Sequence, residues 1–221
     1  MKRLIKKMVS LGVVAALVMG CWMVSYAQTP HKRIALTFDD GPHSSYTADI
    51  LALLREYQIK ATFFVIGQNA DRHPELLCQE VKEGHEIGNH TYSHPKLKEQ
   101  NAESFSIELE KAQTAIKRIS GVDALLFRPP EGFCEGVIST VAKEKGYQMV
   151  LWSVDTEDWR GRSADAIEDS IMDHVKDGSI ILCHDYVVGQ SHTAEALRRV
   201  IPQLLEAGYE FVTVSDLVRK R

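Results

Sequence analysis

Apolar positions along this chain fall into short strand-like runs separated by longer amphipathic stretches. The strand-like runs are Arg33 to Phe38, Ala61 to Gly67, Glu86 to Asn89, Leu125 to Arg128, Gln148 to Asp155, Ser179 to His184 and Glu210 to Val214. Helical patterns lie between them. Tyr46 to Tyr57 carries Ile50, Leu53 and Leu54 on one face, Glu75 to Glu83 stops at Gly84, and Ala102 to Ser120 stops at Gly121. Val137 to Lys145, Ser163 to Lys176 and Thr193 to Ala207 each end at or near a glycine, Gly146, Gly178 and Gly208. Strand and helix alternating this regularly imply parallel strands joined by helical crossovers. About seven repeats in a chain this short predict a barrel-like α/β fold rather than an open sheet.

The amino terminus stands outside that alternation. Met1 to Ala27 begins with Lys2, Arg3, Lys6 and Lys7, runs through an apolar stretch from Met8 to Met19, and ends near the small residues Ser25 and Ala27. That is the layout of a secretory signal peptide, with cleavage expected after Ala27, so residues 1–27 are read as leader and 28–221 as the mature domain. The apolar stretch is shorter than the ~20 residues of a membrane-spanning helix, so no permanent span is expected after cleavage. An uncleaved anchor is one alternative. Another is a lipoprotein site at Val18-Met19-Gly20-Cys21, which would lipidate Cys21, although Met19 fits that pattern poorly. The expected destination is the exterior or the cell envelope of a bacterium.

Charge and cysteine usage then narrow the class. The chain carries 26 Lys and Arg against 30 Asp and Glu. The leader holds four of the positive charges and no negative one, which leaves 22 against 30, a net −8. An acidic exported domain is a poor nucleic-acid binder. Cys78, Cys134 and Cys183 remain after cleavage, an odd number that cannot all pair internally, so no disulfide framework is expected. No linker or repeat divides the remainder, which is long enough for one domain with a sizeable core.

Chemistry concentrates at the predicted strand ends. Thr37 to Pro42 reads TFDDGP, two adjacent carboxylates followed by a turn pair. In a regular strand Asp39 and Asp40 would face opposite ways, so both serve one site only if the backbone bends, and Gly41-Pro42 supplies the bend. Close carboxylates repel, which a bound cation relieves. His90 to His94 reads HTYSH after the third run, and Pro95 biases it towards a loop rather than a helix. Two imidazoles and one carboxylate make three ligands and leave positions open for water and substrate, as a catalytic metal requires. Arg128 ends the fourth run, Asp155 and Asp158 follow the fifth, and His184 ends the sixth. In a β/α barrel that is where active sites are built.

TFDDGP, HTYSH, RPPEG at Arg128 to Gly132, DTEDW at Asp155 to Trp159 and LCH at Leu182 to His184 together resemble the five ordered motifs of the polysaccharide deacetylase family, the NodB-homology carbohydrate esterases. The resemblance covers Ile34 to about Val214 and implies a distorted, roughly seven-stranded (β/α) barrel. It implies Asp39 as general base, and Asp40, His90 and His94 as ligands of one divalent ion, Zn2+ in first place with Co2+ or Mn2+ as alternatives. That ion should lower the pKa of its water towards roughly 7 and polarise the acetamide carbonyl. His184 would protonate the leaving amine, and a backbone N–H of the RPPEG loop would stabilise the oxyanion. Arg128 would orient Asp39, with Asp158 holding Arg128 or tuning the site. Leu182 and Trp159 would wall the acetyl pocket. Strand periodicity agrees in one respect: Leu182 and His184 share a face, and Cys183 points into the helical layer. Many family members place an aromatic residue where this chain has Glu131, so an aromatic wall is lost and a negative charge faces the sugar.

Each residue also has a plain reading. Trp159 could be packed core, His184 a structural histidine on Asp185, and Arg128 with Asp158 an ordinary ion pair. The ordered set outweighs these singly better readings. Cys134 is read as a spectator thiol, His85 as marking the start of the third run, and His31, His43, His73, His174 and His192 as turn or surface residues. The leading function is an exported metal-dependent N-deacetylase of an acetylated glycan, peptidoglycan or chitooligosaccharide. An O-acetyl xylan esterase would use the same site. A non-catalytic glycan binder would need neither Asp39 nor His184. A non-haem iron oxygenase shares the two-His-one-carboxylate set but leaves those two residues unexplained.

Overall fold

The computed structural model describes residues 32–219, and the leader reading at 1–27, with Cys21, falls outside them. Among the described residues there are eight strands: β1 (Lys32–Asp39), β2 (Thr62–Val65), β3 (Glu86–Asn89), β4 (Leu126–Phe127), β5 (Gln148–Met149), β6 (Val154–Asp155), β7 (Ile180–His184) and β8 (Tyr209–Phe211). They pair in parallel in the order β5-β4-β3-β2-β1-β7-β6, with β8 beside the start of β1. The helices are α1 (Tyr46–Glu56), α2 (Gly67–Arg72), α3 (Pro74–Lys82), α4 (Ala102–Ser120), α5 (Val137–Glu144), α6 (Ala164–His174), α7 (Thr193–Glu206) and α8 (Val214–Val218). The result is the expected distorted (β/α) barrel, a curled sheet with helices packed around it.

The run expected as one strand from Gln148 to Asp155 is instead two. β5 pairs with β4 at one edge of the sheet and β6 with β7 at the other, so residues 150–153 cross the seam that a closed barrel would fill with a ladder. Carbonyls there still need donors, because an unpaired buried carbonyl is costly. The buried Arg128 side chain supplies them: Nε donates to Val150 O and Nη2 to Leu151 O, each at 3.3 Å. Two further differences concern α2 and α8, whose residues were expected to be strand ends or loop. Thr213 starts α8 by accepting the Asp216 N–H on its hydroxyl, which stops β8 short of Val214.

Strand alternation sorts the chemistry from the core. On β1, Ile34, Leu36 and Phe38 join the large apolar cluster under the helices with Phe63, Val65, Ile181 and Cys183. Ala35 belongs to a second cluster with Phe64, Leu126 and Val150, so Ala35, Thr37 and Asp39 share the other face. Ile180, Leu182 and His184 do the same on β7, as expected. Asp39 lies in register with His184 across that parallel pair, which brings the two side chains to one end of the sheet.

The long helix α4 opens on a capping box between Asn101 and Ser104 and closes on Gly121 in the left-handed region, φ 78. Cys78, Cys134 and Cys183 are free thiols. No helix among the described residues is long and apolar enough to cross a membrane.

Candidate active site

A cavity of about 460 Å³ opens at the C-terminal ends of the strands, lined by Asp39, Asp40, His90, His94, Glu131, Trp152, Asp155, Trp159, Leu182 and His184, with Pro129. Eight of the ten site residues expected from the sequence line it, and Arg128 and Asp158 lie behind it, bonded to Asp39 and His184. Asp158 occupies a different place from the one expected. It does not hold Arg128.

The bend that turns both aspartates to one site falls at Asp40 itself, whose φ is 76, immediately before Gly41. Asn69 of α2 holds the Asp40 carbonyl through Nδ2 at 2.7 Å. The Asp40 carboxylate then faces two imidazoles: Oδ1 lies 3.4 Å from His90 Nε2 and 3.6 Å from His94 Nε2. Oδ1 is buried and has no hydrogen-bond partner among the described residues. An orphaned carboxylate oxygen costs free energy unless a cation satisfies it. The three candidate ligand atoms lie within 4.8 Å of one another, so these residues fit a single ion.

His90 is prepared for that duty. Its Nδ1 lies 2.7 Å from Arg128 O, so Nδ1–H donates and Nε2 keeps its lone pair for a metal. Burial would lower the His90 pKa, but the charges of Asp39 and Asp40 raise it overall. Burial and the charge on His90 hold His94 below its usual value. Burial would raise Asp40, and the facing imidazoles of His90 and His94 bring it below the usual carboxylate range.

The His-bearing loop is not helical. Thr91 and His94 have φ of 68 and 54, and the loop is tied from two sides. Gly67 and Gln68 at the start of α2 donate their N–H groups to Thr91 O and Tyr92 O at 3.0 and 2.9 Å. From α4, Glu108 Oε2 accepts the N–H groups of Tyr92 and Ser93 at 3.0 and 2.8 Å.

Arg128 is fully buried and anchors Asp39: Nη1 donates to Asp39 Oδ1 and to Thr37 Oγ1, both at 2.8 Å. Its guanidinium stacks over Phe64 at 4.1 Å and faces Trp152 at 5.7 Å. Burial lowers the guanidinium's pKa from its usual value, and Asp39 opposes that. With Oδ1 engaged, Oδ2 is the Asp39 oxygen left for proton transfer, 3.8 Å from His90 Nε2.

Asp158 grips His184. Oδ1 meets His184 Nδ1 at 2.7 Å and Oδ2 accepts the His184 N–H at 2.8 Å and the Thr193 hydroxyl at 2.6 Å. The distance from Arg128 follows from position: Asp158 sits on a 3-10 turn beyond β6, next to β7, whereas Arg128 follows β4. Burial alone would lower the His184 pKa, but the bond and charge of Asp158, with Asp39 and Asp40 behind them, raise it to about 9. Its Nε2 is the ring nitrogen left to exchange a proton.

Trp159 is half exposed, which sets aside the packed-core reading, and Glu131 sits in the left-handed region, φ 56, at the rim. Gly132 and Phe133 use their N–H groups on Pro129 O and Pro130 O within that turn. Two residues were missed from sequence. Trp152, inside the presumed strand, lines the cavity with Nε1 on Asp155 Oδ2 at 3.2 Å and its ring against Gly132, where a Cβ would approach to 3.0 Å. Asp185 is the other: it bonds Gly41 and Thr47 rather than His184, and burial pushes its carboxyl up to about 7. Only its adjacency to His184 could have drawn attention to it.

The family model described as polysaccharide deacetylase matches residues 26–150. A peptidoglycan-N-acetylglucosamine deacetylase of Bacillus cereus is 42% identical over 190 residues, covering 85% of this chain and 89% of that protein. The peptidoglycan-N-acetylmuramic acid deacetylase PdaC of Bacillus subtilis is 40% identical over 186 residues, 84% of this chain and 38% of that longer protein. Among solved structures, a peptidoglycan N-acetylglucosamine deacetylase in complex with an N-hydroxybenzamide superposes with a TM-score of 0.82 at 37% identity, covering 87% of this chain and 90% of that one.

Proposed function

The chain belongs to the polysaccharide deacetylase family, and from that premise we propose that it is an exported, metal-dependent hydrolase that removes N-acetyl groups from amino sugars of a glycan. N-acetylglucosamine of peptidoglycan is the substrate assigned first, after the relatives that share most of its length. One observation carries the reading: an Asp-His-His set with an orphaned carboxylate oxygen lies beside an arginine-anchored Asp39 and an aspartate-anchored His184 in one cavity.

Asp40, His90 and His94 would hold the ion, with Zn2+ assigned first on its preference for imidazole and carboxylate ligands and Co2+ or Mn2+ as alternatives. A divalent ion bound there would supply Lewis acidity to the acetyl carbonyl and acidify a water. Asp39 Oδ2 takes the proton of the attacking water, and Arg128 keeps Asp39 oriented while it does so. The oxyanion that develops at the carbonyl meets the N–H of Glu131, the turn donor not used by Gly132 or Phe133. His184, protonated at neutral pH by the carboxylates around it, gives its Nε2 proton to the leaving amine. Leu182 and Trp159 wall the acetyl methyl, and Trp152 with Glu131 borders the sugar.

Mass spectrometry of N-acetylated chitooligomers, peptidoglycan fragments and acetylated xylan after incubation tests the substrate. Loss of acetyl from N-acetylated sugars is expected. Loss from xylan alone would assign O-acetyl esterase activity, and no loss from any substrate by zinc-loaded protein would leave a glycan binder. Residues 1–27 are proposed as a cleaved leader that delivers the domain to the cell envelope or beyond.

A further inference from the structure

The Asp185 carboxylate has no part in the proton transfers above, yet it packs directly on the turn that carries Asp40. It is buried, and Oδ1 accepts the Gly41 N–H at 2.9 Å. Oδ2 accepts the Thr47 hydroxyl at 2.6 Å, and that hydroxyl in turn accepts the His43 N–H at 2.7 Å. The Asp185 N–H donates to Asp39 O at 3.1 Å. A methyl group on Gly41 would come to 1.9 Å from Oδ2, so the carboxylate lies directly against the Gly41 backbone and only glycine fits there. Asp185 therefore bonds the residue on each side of Asp40, from a position one residue beyond His184.

We propose that Asp185, acting with Thr47, is a positioning residue for the metal ligand Asp40. Asp40 holds a left-handed backbone conformation, φ 76, which few non-glycine residues adopt and aspartate adopts more readily than most. Asn69 fixes its carbonyl, and Asp185 fixes the peptide that follows it. Without the Asp185 carboxylate, the Gly41 N–H loses its acceptor inside the protein and the Thr47 hydroxyl keeps only the Asp185 carbonyl at 3.4 Å. The turn then relaxes and carries Asp40 Oδ1 away from His90 and His94. The role rests on the metal reading given under Proposed function. It extends that reading to a residue that touches neither ion nor substrate.

The test is zinc affinity of the metal-free full chain, titrated against a chromophoric chelator, for Asp185→Ala, Asp185→Asn, Thr47→Val and Thr47→Ser. Outer-shell partners of metal ligands are worth about 10–100-fold in affinity, so Asp185→Ala should weaken zinc by about tenfold or more. Asp185→Asn keeps an acceptor for Gly41 but presents a donor to Thr47, and Thr47→Val removes the hydroxyl; both should weaken zinc by smaller factors. Thr47→Ser should bind as the parent does. At saturating zinc, kcat should fall with KM within about twofold, because no substrate contact is lost. Ile167→Val, a buried change in α6 remote from the turn, serves as the stability control: it should lower the melting temperature and leave zinc affinity alone.

If Asp185→Ala does not fold, Asp185→Asn and Thr47→Val decide the matter. Zinc affinities within twofold of the parent in both would overturn the positioning role. A parent chain that takes up no zinc would overturn the metal reading and this role with it.

Discussion

Two aspartates that differ only in their partners take opposite duties at this site. Asp39 is bound by a buried guanidinium, whereas Asp158 is bound to an imidazole whose proton it holds. His184 binds its proton more tightly in the folded chain than the ordinary value of 6.5 allows, with a pKa of about 9. A raised folded-state pKa means that the pair's contribution to stability is complete below about pH 6.5 and is lost as pH rises through about 9. Activity that needs the protonated form should fall over the same alkaline range. Asp158→Asn removes the charge that raises His184, so the alkaline limb of kcat/KM should move to lower pH; a limb that stays in place would contradict the acid assignment. At this scale most of the site was legible, because carboxylates, imidazoles and an arginine at strand ends have few other reasons to be there. Trp152 was not, since an indole in an apolar run looks the same whether it faces the core or a cleft. Nor was the partner of Asp158, because spacing along the chain does not say which strands become neighbours.

Elements, rather than single residues, decide where the two histidines point. HTYSH lies in an irregular loop, and its geometry comes from the first amides of α2 on one side and Glu108 of α4 on the other. Glu108→Ala should leave the helix intact and free the loop. Zinc affinity measured by chelator competition should drop by about tenfold, the range for groups that orient metal ligands, with little change in melting temperature. Affinity equal to the parent's would show that α2 alone holds the loop. The strand and helix pattern was legible wherever glycine or a cap marked a boundary, as at Gly121 and Asn101. It failed between Gln148 and Asp155, where no turn residue interrupts Met149, Val150, Leu151 and Trp152. The break there comes from the long-range bonds of Arg128 to Val150 O and Leu151 O, which no local pattern encodes.

Across the whole molecule, Arg128 joins the fold to the chemistry. It satisfies the carbonyls at the barrel's seam and anchors Asp39, the proposed base, with the same guanidinium. The barrel class was legible from the alternation of elements, and the open seam was not. Export belongs to this scale as well. Amino-terminal sequencing of protein recovered outside an expressing bacterium should begin at Gln28; a start at Met1 would indicate an uncleaved anchor, and a lipidated Cys21 a lipoprotein. The central claim is that Asp39 moves a proton while Asp40, His90 and His94 hold an ion. It is tested most directly by the turnover of Asp39→Asn on N-acetylated glycan fragments at measured full zinc occupancy. A positioned general base is worth about 10²–10⁴-fold, so turnover should fall by at least about a hundredfold with zinc retained. Deacetylation at the parent's rate, or loss of the zinc itself, would contradict that division of labour.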